Sequence, residues 1–141
     1  MYKHTQPGWT TVIFFVPVFA GIAVAYFLSG QIWVLAVAAA FALILLQFFS
    51  MTASVDDEAI RISMGIGLIR KTIPLAEVAA ASPVRNKWWF GWGVRYLGPE
   101  GWMYNVSGLD AVALEYTSGK KFRIGTDDPE GLARAITSRL A

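Results

Sequence analysis

Between His4 and Asp56 the chain has no lysine, arginine, aspartate or glutamate, and this stretch limits the possible folds more than any other feature. So long an uncharged segment needs a lipid environment. Two apolar runs fill it, Thr10 to Leu28 and Gln31 to Ser50. As helices rising about 1.5 Å per residue, each approaches the roughly 30 Å hydrocarbon thickness of a bilayer. Only Ser29 and Gly30 separate them, so the expectation is a transmembrane hairpin in which each helix satisfies its own backbone amides.

Other residues in this part agree. Trp9 before the first run, with Tyr26 and Trp33 flanking the turn, suits the headgroup level where amphipathic rings settle. Pro17 is tolerable within a membrane helix and is expected to kink it. Gly21 with Ala25, and Ala36 with Ala40, have a spacing that lets helices approach closely, although alanine-rich runs produce it by chance. An alternative treats the first run as a cleaved signal peptide, begun by Lys3 and ending near Ala23-Val24-Ala25. Lys3 on one side of the hairpin and Arg61, Arg70 and Lys71 after it place both termini in the cytoplasm by the positive-inside rule.

From residue 55 onward the pattern changes to period two. Ile60 and Ile62 alternate with Arg61 and Ser63, and Val112, Leu114 and Tyr116 alternate with Ala113 and Glu115, as in strands with one buried face. Glycine and proline breakers divide the segment into seven expected strands, near 55–63, 66–73, 76–83, 92–97, 102–106, 111–116 and 121–125. A helix follows, with Asp128 as N-cap, Pro129 at N1 and Glu130 in the first turn. The chain thus divides into a hairpin part (1–54) and a water-soluble part (55–141). Apolar residues are 55% of the whole against 16% charged, an excess the hairpin supplies.

Seven antiparallel strands and a closing helix describe a pleckstrin-homology barrel. GWGVRYLGPEGWMYNVSGLDAVALEY and KKFRIGTDDPEGLARAI resemble the bacterial PH-like membrane proteins, which commonly join a short transmembrane hairpin to such a domain. The strings Gly91 to Tyr96 and Ile124 to Pro129 carry the resemblance most specifically. It implies a seven-stranded antiparallel PH-like barrel capped by a C-terminal helix, and little about activity.

The stretch NKWWFGWGVRY (86–96) gathers three tryptophans, a phenylalanine, a tyrosine and an arginine. Read as a strand, it turns Trp88, Phe90, Trp92, Val94 and Tyr96 one way and Trp89, Gly91, Gly93 and Arg95 the other. A hairpin loop at 97–101 sets Tyr96 opposite Trp102, Val94 opposite Tyr104 and Trp92 opposite Val106. That aromatic face is expected to be core for Trp92, Val94, Tyr96 and Tyr104, leaving a shallow track at Arg95 floored by Gly91 and Gly93. The glycines either serve strand geometry or admit a partner beside Arg95, which is otherwise a surface cation. Trp88 and Trp89 either lodge at the membrane interface, with Arg85 and Lys87 toward anionic headgroups, or pack on a neighbouring strand or protomer.

Several functions are excluded or disfavoured. A net charge of +2 is too small for a nucleic-acid surface. With no cysteine there is no thiol nucleophile, disulfide or Cys-ligated zinc. Gly65-Ile66-Gly67 lacks the context of a nucleotide loop, Asp56-Asp57-Glu58 diverge along an extended chain, and His4 has no catalytic companions nearby in sequence. The first hairpin turn (63–69) lacks the basic cluster of inositide-binding PH domains. The expectation is a non-enzymatic membrane-anchored module of the bacterial inner membrane, without cofactor or metal. It mediates protein–protein interaction or scaffolding, with a protein partner or as a homo-oligomer, through Trp88, Trp89, Gly91, Gly93 and Arg95. The alternative is anionic-lipid sensing through Arg85, Lys87, Trp88 and Trp89.

Overall fold

The computed structural model describes residues 1–140. The chain opens with strand β1 (Tyr2–Pro7), followed by helices α1 (Trp9–Ser29) and α2 (Trp33–Phe48). Strands β2 (Ser50–Val55), β3 (Ala59–Met64) and β4 (Ile69–Pro74) come next, then β5 (Val78–Arg85), β6 (Gly93–Tyr96), β7 (Trp102–Asn105), β8 (Asp110–Tyr116) and β9 (Lys121–Gly125), and helix α3 (Pro129–Thr137) is the last element among the described residues.

Two helices followed by largely antiparallel sheet and a C-terminal helix agree with the sequence. The closed seven-stranded barrel does not. There are two open sheets, a four-stranded one in the order β1-β2-β3-β4 and a five-stranded one in the order β5-β8-β9-β7-β6. Strands β7 and β9 run parallel, which a sequential meander cannot produce.

The helical hairpin is an insertion between two paired strands. β1 pairs antiparallel with β2 from Tyr2 opposite Val55 to Pro7 opposite Ser50. Residues read from sequence as tail and as helix end are therefore strands of the first sheet. Helix α1, 21 residues, is long and apolar enough to cross a membrane. Helix α2 has 16 residues, about 24 Å, shorter than the expected second span (31–50) because Ser50 already belongs to the sheet. Gly30 closes the turn in the left-handed region at φ 63, with its N–H donated to the Tyr26 carbonyl at 2.8 Å, a C-cap that glycine adopts without Cβ strain.

Where the hairpin meets the sheet, the backbones almost touch. A Cβ at Gly8 would collide with the Phe48 and Phe49 carbonyls, and one at Gly65 with those of Leu46 and Gln47. The Gly65–Leu68 turn thus tucks beneath the end of α2, where Ile66 N–H donates to the Leu46 carbonyl at 3.2 Å. Gln47, buried, donates to the Met64 carbonyl at 2.9 Å and accepts from Leu68 N–H at 3.3 Å. The Ile66 bond satisfies one of the carbonyls that a helix end leaves unpaired, and the Gln47 side chain pairs backbone groups of the strand and turn beneath it.

The core lies between the sheets. Period two supplies Met51, Ala53 and Val55 from β2, Ile60, Ile62 and Met64 from β3, Val112 and Leu114 from β8, and Phe122 and Ile124 from β9. Leu132, Ala133 and Ile136 of α3 join them, covering the side of the sandwich at β5, β8 and β2. The expected cap is present: the Asp128 carboxylate accepts from Gly131 N–H at 3.1 Å. It also accepts from the Tyr2 hydroxyl at 2.8 Å, which ties β1 to the start of α3. Burial, and then this bond, hold the Tyr2 phenol well above its usual range.

Candidate functional site

The five-stranded sheet is wider than the four-stranded one, and the overhang exposes its aromatic face. One cross-strand row runs from Leu114 to Phe122, Trp102 and Tyr96. Leu114 and Phe122 are buried under the first sheet, whereas Trp102 and Tyr96 are 50% and 65% exposed. The register read from sequence is observed, with Tyr96 opposite Trp102 and Val94 opposite Tyr104. The core assignment is corrected: Val94 and Tyr96 are exposed and Trp92 is only partly buried, because β6 is an edge strand lying beyond the cover of the other sheet. Only Tyr104 packs against the core, its ring 5.2 Å from that of Phe122.

At this open side the edge strand β4 turns a cation inward. Lys71 lies opposite Ile62, on the core-facing side of its sheet, and its ammonium sits 5.1 Å from the centre of the Phe122 ring. Its stem covers apolar surface while the head reaches solvent. The result is a cleft between the sheet edges lined by Lys71, Val94, Trp102, Tyr104 and Phe122, with Lys120 in the adjoining β8–β9 turn and Lys121, paired with Glu100 at 3.9 Å, at the start of β9. Sequence reasoning missed it, since the inward lysine matters only once the two sheets overlap.

The stretch 86–92 is not a strand. Trp88–Phe90 form a 3-10 turn, so strict alternation does not apply there. The turn folds over the outer face of the second sheet, held by Asn86 and Phe90. Asn86 donates to the Met103 sulfur at 3.2 Å and accepts from Arg123 at 2.9 Å. The Arg123 guanidinium lies 5.5 Å from the centre of the Phe90 ring and donates to Glu100 at 2.6 Å. That bond holds the Glu100 carboxyl below its usual range. With Phe90 anchored inward, Trp88 and Trp89 project outward, 72% and 61% exposed. Lys87 stands 5.1 Å over the Trp89 ring, while Arg85 is paired with Asp110 at 3.0 Å.

This turn lies at the helix end of the sandwich. Asn86 N–H donates to the Leu109 carbonyl at 2.6 Å, and the loop before Leu109 grips the first turn of α1. Thr10 and Ser107 hydroxyls are 3.0 Å apart, Thr11 donates to the Val106 carbonyl at 2.9 Å, and Gln6 donates to the Ser107 carbonyl at 2.8 Å. The Trp92 indole donates to Gly108 at 2.9 Å and packs 5.8 Å from Phe14 of α1. Exposed Ile66 and Leu68 occupy the same end beneath α2.

Gly91, Gly93 and Arg95 come together at a groove of about 590 Å³ between the start of β6 and the feet of the helices, also lined by Phe14, Phe15 and Phe48. Trp88 and Trp89 stand apart from it. Both glycines have positive φ, 70° and 90°, the region a side chain disfavours. The candidate residues thus form two neighbouring features at the helix end, while the Lys71 cleft opens between the sheet edges.

Asn105-Val106-Ser107 matches the Asn-x-Ser pattern of a glycosylation acceptor, but Asn105 is fully buried. Among the described residues no cluster of His, Asp and Glu is placed to hold a metal ion.

No protein family, curated protein or solved structure matches the chain.

Proposed function

We propose that the chain is a non-enzymatic, membrane-anchored module of the bacterial inner membrane that holds a protein partner at the cytoplasmic surface. In this reading α1 and α2 cross the bilayer together and both termini stay on the cytoplasmic side, consistent with Lys3, Arg61, Arg70 and Lys71 flanking the hairpin. Tyr2 and Gln6 also favour an uncleaved N-terminus, because cleavage after Ala25 would strip β1 and its bonds to Asp128 and Ser107 from the sheet. The PH-like kinship remains part of the proposal through Gly91–Tyr96 and Ile124–Pro129, without the closed barrel.

One observation carries the partner reading: the exposed pair Tyr96 and Trp102, their rings tilted against each other with centres 5.3 Å apart. β6 starts at the helix feet and runs away from them, so this pair lies at the end where a bilayer does not reach. Exposed aromatic rings beside Lys71 and Lys120 fit a partner segment carrying apolar and acidic side chains. The test is cross-linking in native membranes, comparing wild type with a Tyr96→Ala, Trp102→Ala double variant. Both side chains are at least half exposed, so the variant is expected to fold, which its hydrogen exchange in β2 and β3 checks, and to lose the neighbour that wild type captures. Recovery of the same neighbour in equal yield would refute the docking surface.

A second reading, anionic-lipid engagement at the membrane end, is favoured by the protruding Trp88 and Trp89 with Lys87 among them. Indole rings prefer the headgroup level, and basic side chains there attract anionic lipid. Steep salt dependence of binding to phosphatidylglycerol vesicles, lost in Trp88→Ala, Trp89→Ala, would support it.

A further inference from the structure

We infer that the groove at the helix feet is a binding site for one anionic phospholipid, with its phosphate on Arg95 and an acyl chain against Phe14, Phe15 and Phe48. The inference rests on the membrane-anchored reading above and adds to it a defined lipid site.

The groove combines two surfaces that ordinary soluble sites seldom join. Phe14 and Phe15 come from the first turns of α1 and Phe48 from the last turn of α2, so this wall continues the apolar surface of the hairpin into the domain. The other wall is β6, where Arg95 is the only charged residue lining the groove. Its Nε–H is donated to the Trp92 carbonyl at 3.0 Å, which fixes the guanidinium, and it forms no ion pair among the described residues. The remaining N–H donors are free for a phosphate, which guanidinium geometry suits.

The floor is kept bare. A Cβ at Gly91 would stand 3.4 Å from the Arg95 guanidinium, and one at Gly93 would stand 3.9 Å from the Phe48 ring. Glycine at both positions lets the guanidinium and the phenyl ring lie close to the backbone, with no side chain at 91 or 93 dividing the cation from the phenylalanine wall. With α1 in the bilayer, its first turns sit at the headgroup level, and a lipid enters sideways without leaving the membrane. A water-soluble anion would use the cation alone and leave the phenylalanine wall unexplained. Charge complementarity and the continuous apolar wall together select an anionic amphiphile.

The test is native mass spectrometry of the full chain in detergent, titrated with phosphatidylglycerol, with phosphatidylcholine, or with glycerol phosphate, which has no acyl chain. Wild type is expected to retain one phosphatidylglycerol at least about tenfold more strongly than phosphatidylcholine, and not to retain glycerol phosphate. Arg95→Gln is expected to abolish the preference and Arg95→Lys to keep part of it. Arg85→Gln, outside the groove, should leave it intact. Equal retention by wild type and Arg95→Gln, equal retention of both lipids, or equal binding of glycerol phosphate would overturn the inference. Loss in Arg85→Gln alone would place the lipid elsewhere and overturn it too. Failure of the chain to stay in membranes after an alkaline wash would instead defeat the anchoring reading, so the two failures are separable.

Discussion

The hydroxyls of Thr10 and Ser107 lie 3.0 Å apart across 97 residues of chain, and this contact fastens the first turn of the long apolar helix to the second sheet. Thr10 N–H also reaches the Ser107 hydroxyl at 3.2 Å. The β1–β2 pairing already carries the helices on the first sheet, so the latch adds a second attachment. Helix and sandwich are thereby held at a fixed angle.

Ser107→Ala is expected to lower the stability of the detergent-solubilised protein by about 1–2 kcal/mol, the scale of one or two partly buried hydrogen bonds. Combined with Thr10→Val it should add less than the sum of the single changes, because both remove one contact. Thermal unfolding of the four proteins measures the coupling. Full additivity would show that the latch contributes nothing.

Gly65 and Gly119 both have positive φ, 49° and 84°, yet their surroundings differ. An alanine at Gly119 meets open space and pays only for its backbone conformation, about 1–2 kcal/mol. At Gly65 the methyl would also strike the carbonyls of Leu46 and Gln47. Gly65→Ala is therefore expected to cost at least about 3 kcal/mol. Unfolding midpoints that rank the two variants equally would contradict the tucked turn.

Arg123 organises the segment bearing the exposed tryptophans. Arg123→Met keeps the stem and removes the bonds to Asn86 and Glu100, at an expected cost of about 2 kcal/mol. Hydrogen exchange should rise at 86–91 and remain unchanged in β2 and β3. The Glu100 carboxyl titrates below its unfolded value, first because of the Arg123 hydrogen bond. Its contribution is complete above the unfolded carboxyl pKa, about 4.3, and disappears as pH falls through the folded value. Glu100→Gln should flatten that part of the acid limb slightly, since the group is over one-third exposed and solvent screens it.

Tyr2 gives the opposite sign. Burial, followed by the hydrogen bond to Asp128, raises its phenol above the unfolded value. The stabilisation is complete below the unfolded pKa of about 10 and is lost as pH rises toward the folded value. Tyr2→Phe should cost about 1 kcal/mol at neutral pH and reduce the loss of stability in alkali. An unchanged alkaline limb would show that β1 is not anchored to α3 as described.

Local features were legible in the sequence. The turn at Ser29 and Gly30, the pairing of Tyr96 with Trp102 and the cap at Asp128 each depend on residues close along the chain. What was hidden depends on distant partners. Tyr2–Pro7 has no strong alternation of its own, and becomes a strand because Ser50–Val55 returns beside it after the helical insertion. The buried face of β6 could not be assigned from its aromatic residues, since exposure there follows from the width of the other sheet. Trp88–Phe90 resembles a strand in composition, but Asn86 and Phe90 bend it over Arg123 and Met103. The groove at Arg95 needed both glycines and the feet of both helices, of which sequence indicated only the glycines and the cation.

The proposed partner surface and lipid groove both require the hairpin to cross the bilayer with the sheets on the cytoplasmic side. Because the chain contains no cysteine, single cysteines at Ser29, in the turn between the helices, and at Ser118, in the β8–β9 turn, report each side separately. In intact bacterial spheroplasts treated with a membrane-impermeant maleimide, Ser29→Cys is expected to label and Ser118→Cys to label only after lysis. Labelling of Ser118→Cys in intact cells, or protection of Ser29→Cys until lysis, would contradict it.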